Sequence, residues 1–81
     1  MNTATSDVTE VDAVGLLCPL PVLRARRVMK GLAEGQLLRL LASDPAAVID
    51  VPHFAQESGH AYLGAEDQGG GVTAYLLRRG A

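Results

Sequence analysis

Cys18 is the single thiol of an 81-residue chain, and its neighbours make it the candidate nucleophile. It precedes Pro19-Leu20-Pro21, a proline-marked helix start in which both rings fit the first turn. That places the cysteine at the N-cap or beside it. Unpaired backbone N–H groups and the positive end of the helix macrodipole meet there, and both favour thiolate. The interaction is worth roughly 0.3–1 kcal/mol at an exposed site and up to about 2 when partly buried. A free thiol with a pKa of about 8.5 is then expected to fall to roughly 7–8, a mildly activated nucleophile suited to giving and receiving sulfur. The competing reading makes Cys18 a small hydrophobe plugging an apolar loop among Leu16, Leu17 and Leu20.

Other chemistries lack their residues. The motif is C-P-L-P and not C-x-x-C, so thioredoxin-style exchange has no resolving cysteine. A cysteine hydrolase needs a positioned histidine base. His53 and His60 stand far along the chain, the first expected as an exposed helical residue and the second at a strand end. Cys18, His53 and His60 also lack short metal-ligand spacing, so neither a metal nor a cofactor is expected. Gly69-Gly70-Gly71 has no lysine and reads as a hairpin, not a phosphate loop.

The chain that must position Cys18 has the composition of a small globular domain, 48% apolar and 20% charged. Residues 8–81 are expected to form one domain behind a flexible tail of residues 1–7. Val8 to Ala13 is rich in β-branched residues and reads as a strand with one wet face. A loop then leads to a helix reaching about Leu32 or Ala33. On a wheel of about 100° per residue, Val22, Ala25, Val28, Met29 and Leu32 form its core stripe. Leu20 and Leu23 fall on the wet side with Arg27, either as a docking surface or as scattered surface leucines. Arg24, Arg26, Arg27 and Lys30 are a solvated face or a positive field for an acidic partner.

Gln36 to Ala42 is an apolar run short enough for a buried central strand. Asp44 and Pro45 predict the start of a second helix, running to about Ser58 and closed by Gly59 in a left-handed cap. Pro52 is expected to kink that helix or to begin a second segment. His60–Asp67 and Val72–Arg79 read as strands of a hairpin across Gln68–Gly71. The order βαβαββ predicts an α/β (α+β) two-layer sandwich, with a mixed four-stranded sheet carrying both helices on one face. The other face is then solvated or shared with a partner.

Several classes fall on composition. No apolar stretch is long enough to span a bilayer, and no basic segment leads into an apolar one as in a signal peptide. The net charge is −2 and the pI about 5.5, the wrong balance for a protein that neutralises phosphates. Phe54, Tyr62 and Tyr75 are the whole aromatic set, too few for base stacking. A lone thiol without a disulfide framework fits a reducing, cytoplasmic setting.

Asp12-Ala13-x-Gly15-Leu16-x-Cys18-Pro19-x-Pro21, then Asp44-Pro45, Asp50-Val51-Pro52 and Gly59-His60, resemble the TusA (SirA-like) sulfur-carrier family over about Val11 to Arg79. The resemblance implies a two-layer βαβαββ sandwich, agreeing with the element order read from the residues. It also implies that Cys18 carries a persulfide, taking sulfur from a cysteine desulfurase or rhodanese-like donor and passing it to a partner's cysteine. Such a protein is a sulfurtransferase acting as a relay, not a multiple-turnover enzyme. Its acceptors in the family serve tRNA 2-thiouridine, molybdenum-cofactor sulfur supply or sulfur oxidation. The residue before the cysteine is often basic in this family, and here it is Leu17.

The carrier reading expects a mainly monomeric protein with no direct nucleic-acid contact. The alternative is a non-catalytic interaction or regulatory module working through Leu20, Leu23 and Arg27. Thiol-redox activity ranks third, for want of a resolving cysteine.

Overall fold

The structure, a computed structural model, describes residues 8–81; the expected tail of residues 1–7 lies outside them. The elements are β1 (Val8–Ala13), α1 (Leu20–Met29), β2 (Leu37–Ala42), α2 (Ala47–Ser58), β3 (Ala61–Gly69) and β4 (Val72–Arg78). They follow the expected βαβαββ order. The sheet runs β1-β2-β4-β3, with β1 and β2 parallel and the other pairs antiparallel. It is the mixed sheet anticipated from the sequence.

Strand β2 shows why the sheet has a helix-covered face. Side chains alternate along a strand, so its apolar run serves both surfaces. Leu38, Leu40 and Ala42 are buried, while Leu37, Arg39 and Leu41 are only half-buried. Register carries the buried set sideways: Leu40 pairs with Val11 on one flank and Tyr75 on the other, and Leu38 pairs with Leu77. Both helices close over this row. α1 buries Pro21, Ala25 and Met29, and α2 buries Ala47, Val51, Phe54 and Ala55. Val22, Val28 and Leu32 pack against the same cluster from its margin. Each fully buried leucine contributes about 1.5–3 kcal/mol. Leucine-rich β2 forms a strand because it is bonded on both edges, by β1 and by β4.

The opposite face is open. Val8 and Leu63 are exposed, and Leu37, Leu41 and Leu76 half-buried. Arg39 crosses it, donating from Nη1 to Glu10 Oε2 and from Nη2 to Gln68 Oε1, each at 2.8 Å. Such exposed pairing is worth about 0–1 kcal/mol.

Several boundaries differ from expectation. α1 ends at Met29, not at Leu32 or Ala33, because the chain tightens after Lys30. Gly31 N–H donates to Val28 O, Leu32 N–H to Met29 O, and Ala33 N–H to Gln36 Oε1. α2 starts at Ala47, because Pro45 and Ala46 form a turn held by the Asp44 carboxylate on the Ala46 N–H. It continues unbroken through Pro52 and ends as expected at Gly59, with φ 77°. β3 reaches Gly69, so Gln68 is a strand residue and the hairpin turn is Gly70-Gly71. β2 begins one residue after Gln36, and β4 ends one before Arg79.

His60 sits at the mouth of β3, as expected. Its Nδ1 accepts the Gly80 N–H at 2.9 Å, and its ring lies 5.7 Å from that of Phe54. Partial burial, then the charge of Arg79, lower its pKa from the ordinary 6.5. The unfolded chain therefore binds this proton more readily. The resulting stability is full above about 6.5 and is lost as pH falls through the lower native value. His60→Asn retains an acceptor but does not titrate. Thermal melts from about pH 7 to about pH 5 should show a shallower fall in Tm for this variant than for the native chain. Parallel slopes would exclude His60 from the acid response.

Candidate functional site

The site forms because β1 and β2 are parallel neighbours, so their carboxyl ends lie on one edge of the sheet. The loop leaving β1 and the loop leaving β2 meet there. Gly15, at φ 86°, donates its N–H to Ser43 Oγ at 2.8 Å. Cys18 N–H donates to Asp44 Oδ2 at 2.6 Å. Within the first loop, Val14 N–H is held by Asp12 Oδ1 and Leu16 N–H by Ala13 O. Arg24 Nη1 donates to Asp12 O at 3.0 Å, tying α1 back to the end of β1. Leu16 packs inward, whereas Cys18 is exposed. The plugged-loop reading of Cys18 is therefore overturned.

Cys18 opens onto a cleft of about 370 Å³ between the helices. Pro19, Val22 and Arg26 form the α1 side, and Asp50, His53, Phe54 and Glu57 the α2 side. The α2 residues recur at helical spacing, on the face turned toward α1. Distance along the chain had suggested that His53 stands apart from the thiol, and the structure corrects this. His53 is exposed, as expected, but it lines the cysteine's own cleft. His60 lines a different one, so the two histidines and Cys18 do not converge.

The expected thiolate activation is also corrected, because the pKa of Cys18 is raised. The chief cause is the Asp50 carboxylate, which accepts the thiol's hydrogen bond. Desolvation follows, then the charges of Asp50 and Asp44. The prolines explain why the helix end does not compensate. Pro19 is the N-cap and Pro21 stands in the first turn, and neither has an N–H. The Leu20 N–H is taken by Leu17 O at 2.8 Å. A helix start with so few free donors offers a thiolate little, while two carboxylates oppose it.

Pro21 is buried at the base of α1 and anchors the turn that carries Cys18. Leu20, Leu23 and Arg27 do share a surface, a groove of about 260 Å³ completed by Leu16 and Arg24. Both leucines are about half exposed, at 48% and 47%. Cys18 does not line this groove.

Arg26 belongs to the basic set read from the sequence as a positive field near Cys18, whereas Asp50, His53 and Glu57 are placed around the thiol only by the fold. The Asp50-Val51-Pro52 motif was visible but said nothing of proximity. Parallel pairing of the first two strands was the missing signal. Replacing the carboxylate as Asp50→Asn should lower the thiol pKa. Iodoacetamide should then label Cys18 severalfold faster near neutral pH, with the midpoint of the rate profile moved down. An unchanged profile would remove Asp50 from control of the thiol.

The family model of sulfurtransferase TusA matches residues 9–79. The chain is 41% identical over 61 residues to the sulfur carrier protein TusA of Allochromatium vinosum, covering 75% of this chain and 80% of that protein. It is also 41% identical over 79 residues to a Neisseria meningitidis serogroup A protein named as a sulfur carrier, covering 98% of this chain and all of that one. The crystal structure of a SirA-like protein from Desulfitobacterium hafniense superposes with a TM-score of 0.78 at 24% identity. That match covers 91% of this chain and 99% of the other, and shows a shared fold.

Proposed function

The chain belongs to the TusA sulfurtransferase family, and from that premise we propose that Cys18 carries sulfane sulfur as a persulfide between two partner proteins. The observation that supports this reading is an exposed thiol on an open interhelical cleft, reachable by large partners in turn. In loading, the Cys18 thiolate attacks the outer sulfur of a donor persulfide. The new S–S bond forms as the old one breaks, and the donor cysteine leaves as thiolate. In unloading, an acceptor thiolate attacks the outer sulfur held on Cys18, and Cys18 leaves as thiolate. No net oxidation occurs in either step. Asp50, which lines the same cleft and whose carboxylate raises the thiol's pKa, is the group suited to take its proton and return it.

A cysteine desulfurase or rhodanese-like protein is the proposed donor, and a cysteine of a downstream protein the proposed acceptor. The final sulfur destination is tRNA 2-thiouridine, cofactor sulfur supply or sulfur oxidation. The Leu20/Leu23/Arg27 groove is the proposed docking surface, and Pro19 and Pro21 shape the turn that presents the thiol. Leu17 contributes no charge next to the thiol, so partner choice rests on the neighbouring surfaces. The carrier is proposed to act as a monomer in a reducing cytoplasm, where its thiol is kept available.

The second reading, an interaction module independent of the thiol, is favoured by one observation: the leucine groove is separate from the Cys18 cleft. Intact mass after incubation with a cysteine desulfurase, pyridoxal phosphate and cysteine separates the two. The carrier gains one or more sulfur atoms, releases them to reductant, and gains none as Cys18→Ser with its fold retained. Leu23→Ala or Arg27→Ala should slow loading without blocking alkylation of Cys18. Absence of any gain with several donors, while Cys18 alkylates freely, would favour the interaction module.

A further inference from the structure

A second cleft, of about 210 Å³, lies beside the first and shares Arg26 and Phe54 with it. Its polar lining is Arg26 and Lys30 from α1, Ser58 from the end of α2, His60, and Arg79 after β4. No carboxylate lines it, although the chain as a whole is acidic. Among the described residues the direct ion pair is Arg39 with Glu10 on the other face of the sheet, so none of Arg26, Lys30 and Arg79 is directly paired with a described carboxylate. From this arrangement we infer that the cleft binds a compact, doubly charged oxyanion of the phosphate type, either free or as the terminal group of a small molecule.

Three of its donors are held before any ligand arrives. The Arg26 guanidinium carbon stands 5.5 Å from the centroid of Phe54, over the ring. Arg79 Nε donates to Leu32 O at 3.2 Å and its Nη1 to Gly80 O at 3.4 Å, leaving its other N–H groups free. The Gly80 N–H holds His60 Nδ1 as an acceptor, which in neutral imidazole makes Nε2 the remaining N–H donor. Lys30 and the Ser58 hydroxyl add donors at the rim. Donors fixed by the fold lose little freedom on binding, and guanidinium groups match paired oxyanion oxygens. Met29 and Phe54 complete the lining with apolar side chains that offer no competing carboxylate.

The test is an amide chemical-shift titration of the full chain at neutral pH, with sodium phosphate against sodium chloride at matched ionic strength. Phosphate should saturate shifts at Lys30, Ser58, His60 and Arg79 with a Kd on the order of 1 mM, while chloride leaves them small and linear. Adenosine 5′-monophosphate should compete and adenosine should not. Lys30→Gln, at an exposed side chain, should weaken binding several-fold, and Arg79→Gln more strongly; Arg24→Gln, outside the cleft, should bind normally. Cys18→Ser should also bind normally, so the carrier reading and this one fail independently. Equal, unsaturated shifts with phosphate and chloride, or full affinity in Lys30→Gln, would overturn the proposal even if Arg79→Gln did not fold. So would adenosine binding as tightly as its monophosphate.

Discussion

Parallel pairing of β1 with β2 is the constraint on which the site depends. Two parallel neighbours require a crossover, and α1 supplies it, so both strands must deliver their following loops to the same edge. Cys18 is carried by the first of those loops and Asp44 by the second. The 2.6 Å bond between Cys18 N–H and Asp44, with that from Gly15 to Ser43, locks the two together. An antiparallel first pair would send these loops to opposite ends and leave the cysteine with no second wall. Residues far apart in the chain become one cleft because the backbone hydrogen-bond pattern allows no other arrangement.

The electrostatics of that cleft then follow from proline chemistry as much as from charge. A helix N-terminus stabilises an anion through free N–H groups, and Pro19 and Pro21 remove two of them. Asp44 takes the Cys18 amide and Asp50 faces the sulfur. The resting state is accordingly a protonated thiol. This suits a carrier that must not react indiscriminately. A thiol is a poor nucleophile toward alkylating and oxidising agents, and the nearby carboxylates favour that form.

Helix α1 organises the rest. Its buried stripe, Pro21, Ala25 and Met29, seats it on the sheet. One flank contributes to the Cys18 cleft and, through Arg26, to the basic cleft beyond. The other carries Leu20, Leu23 and Arg27. A ten-residue helix thus presents distinct surfaces without a deep pocket, which fits a protein whose substrates arrive on other proteins. The open face of the sheet plays no part in the site. Its half-buried leucines are there because β2 alternates a buried and an outward apolar set.

Periodicity and turn chemistry revealed a great deal in advance. The β-branched residues of Val8–Ala13, the stripe from Val22 to Leu32, the Gly59 cap and the glycine-rich hairpin specify elements through local physics that a sequence displays directly. The order of those elements then limits the topology. Helix ends were less legible: α1 stops at Met29 because the Ala33 N–H turns to the Gln36 side chain, and α2 starts late because the Asp44 carboxylate holds Pro45 and Ala46 in a turn. The candidate sulfur was legible too, since one cysteine before Pro-x-Pro has few competitors. Its ionisation was not. Whether the thiol is favoured as anion or acid depends on which donors and charges surround it in space, and Asp50 lies 32 residues from Cys18 in the chain. The sequence by itself determined the elements, their order and the candidate sulfur atom, because these follow from neighbours along the chain. Only the tertiary structure decided the sulfur's surroundings, because Coulomb interactions and hydrogen bonds depend on distance in space.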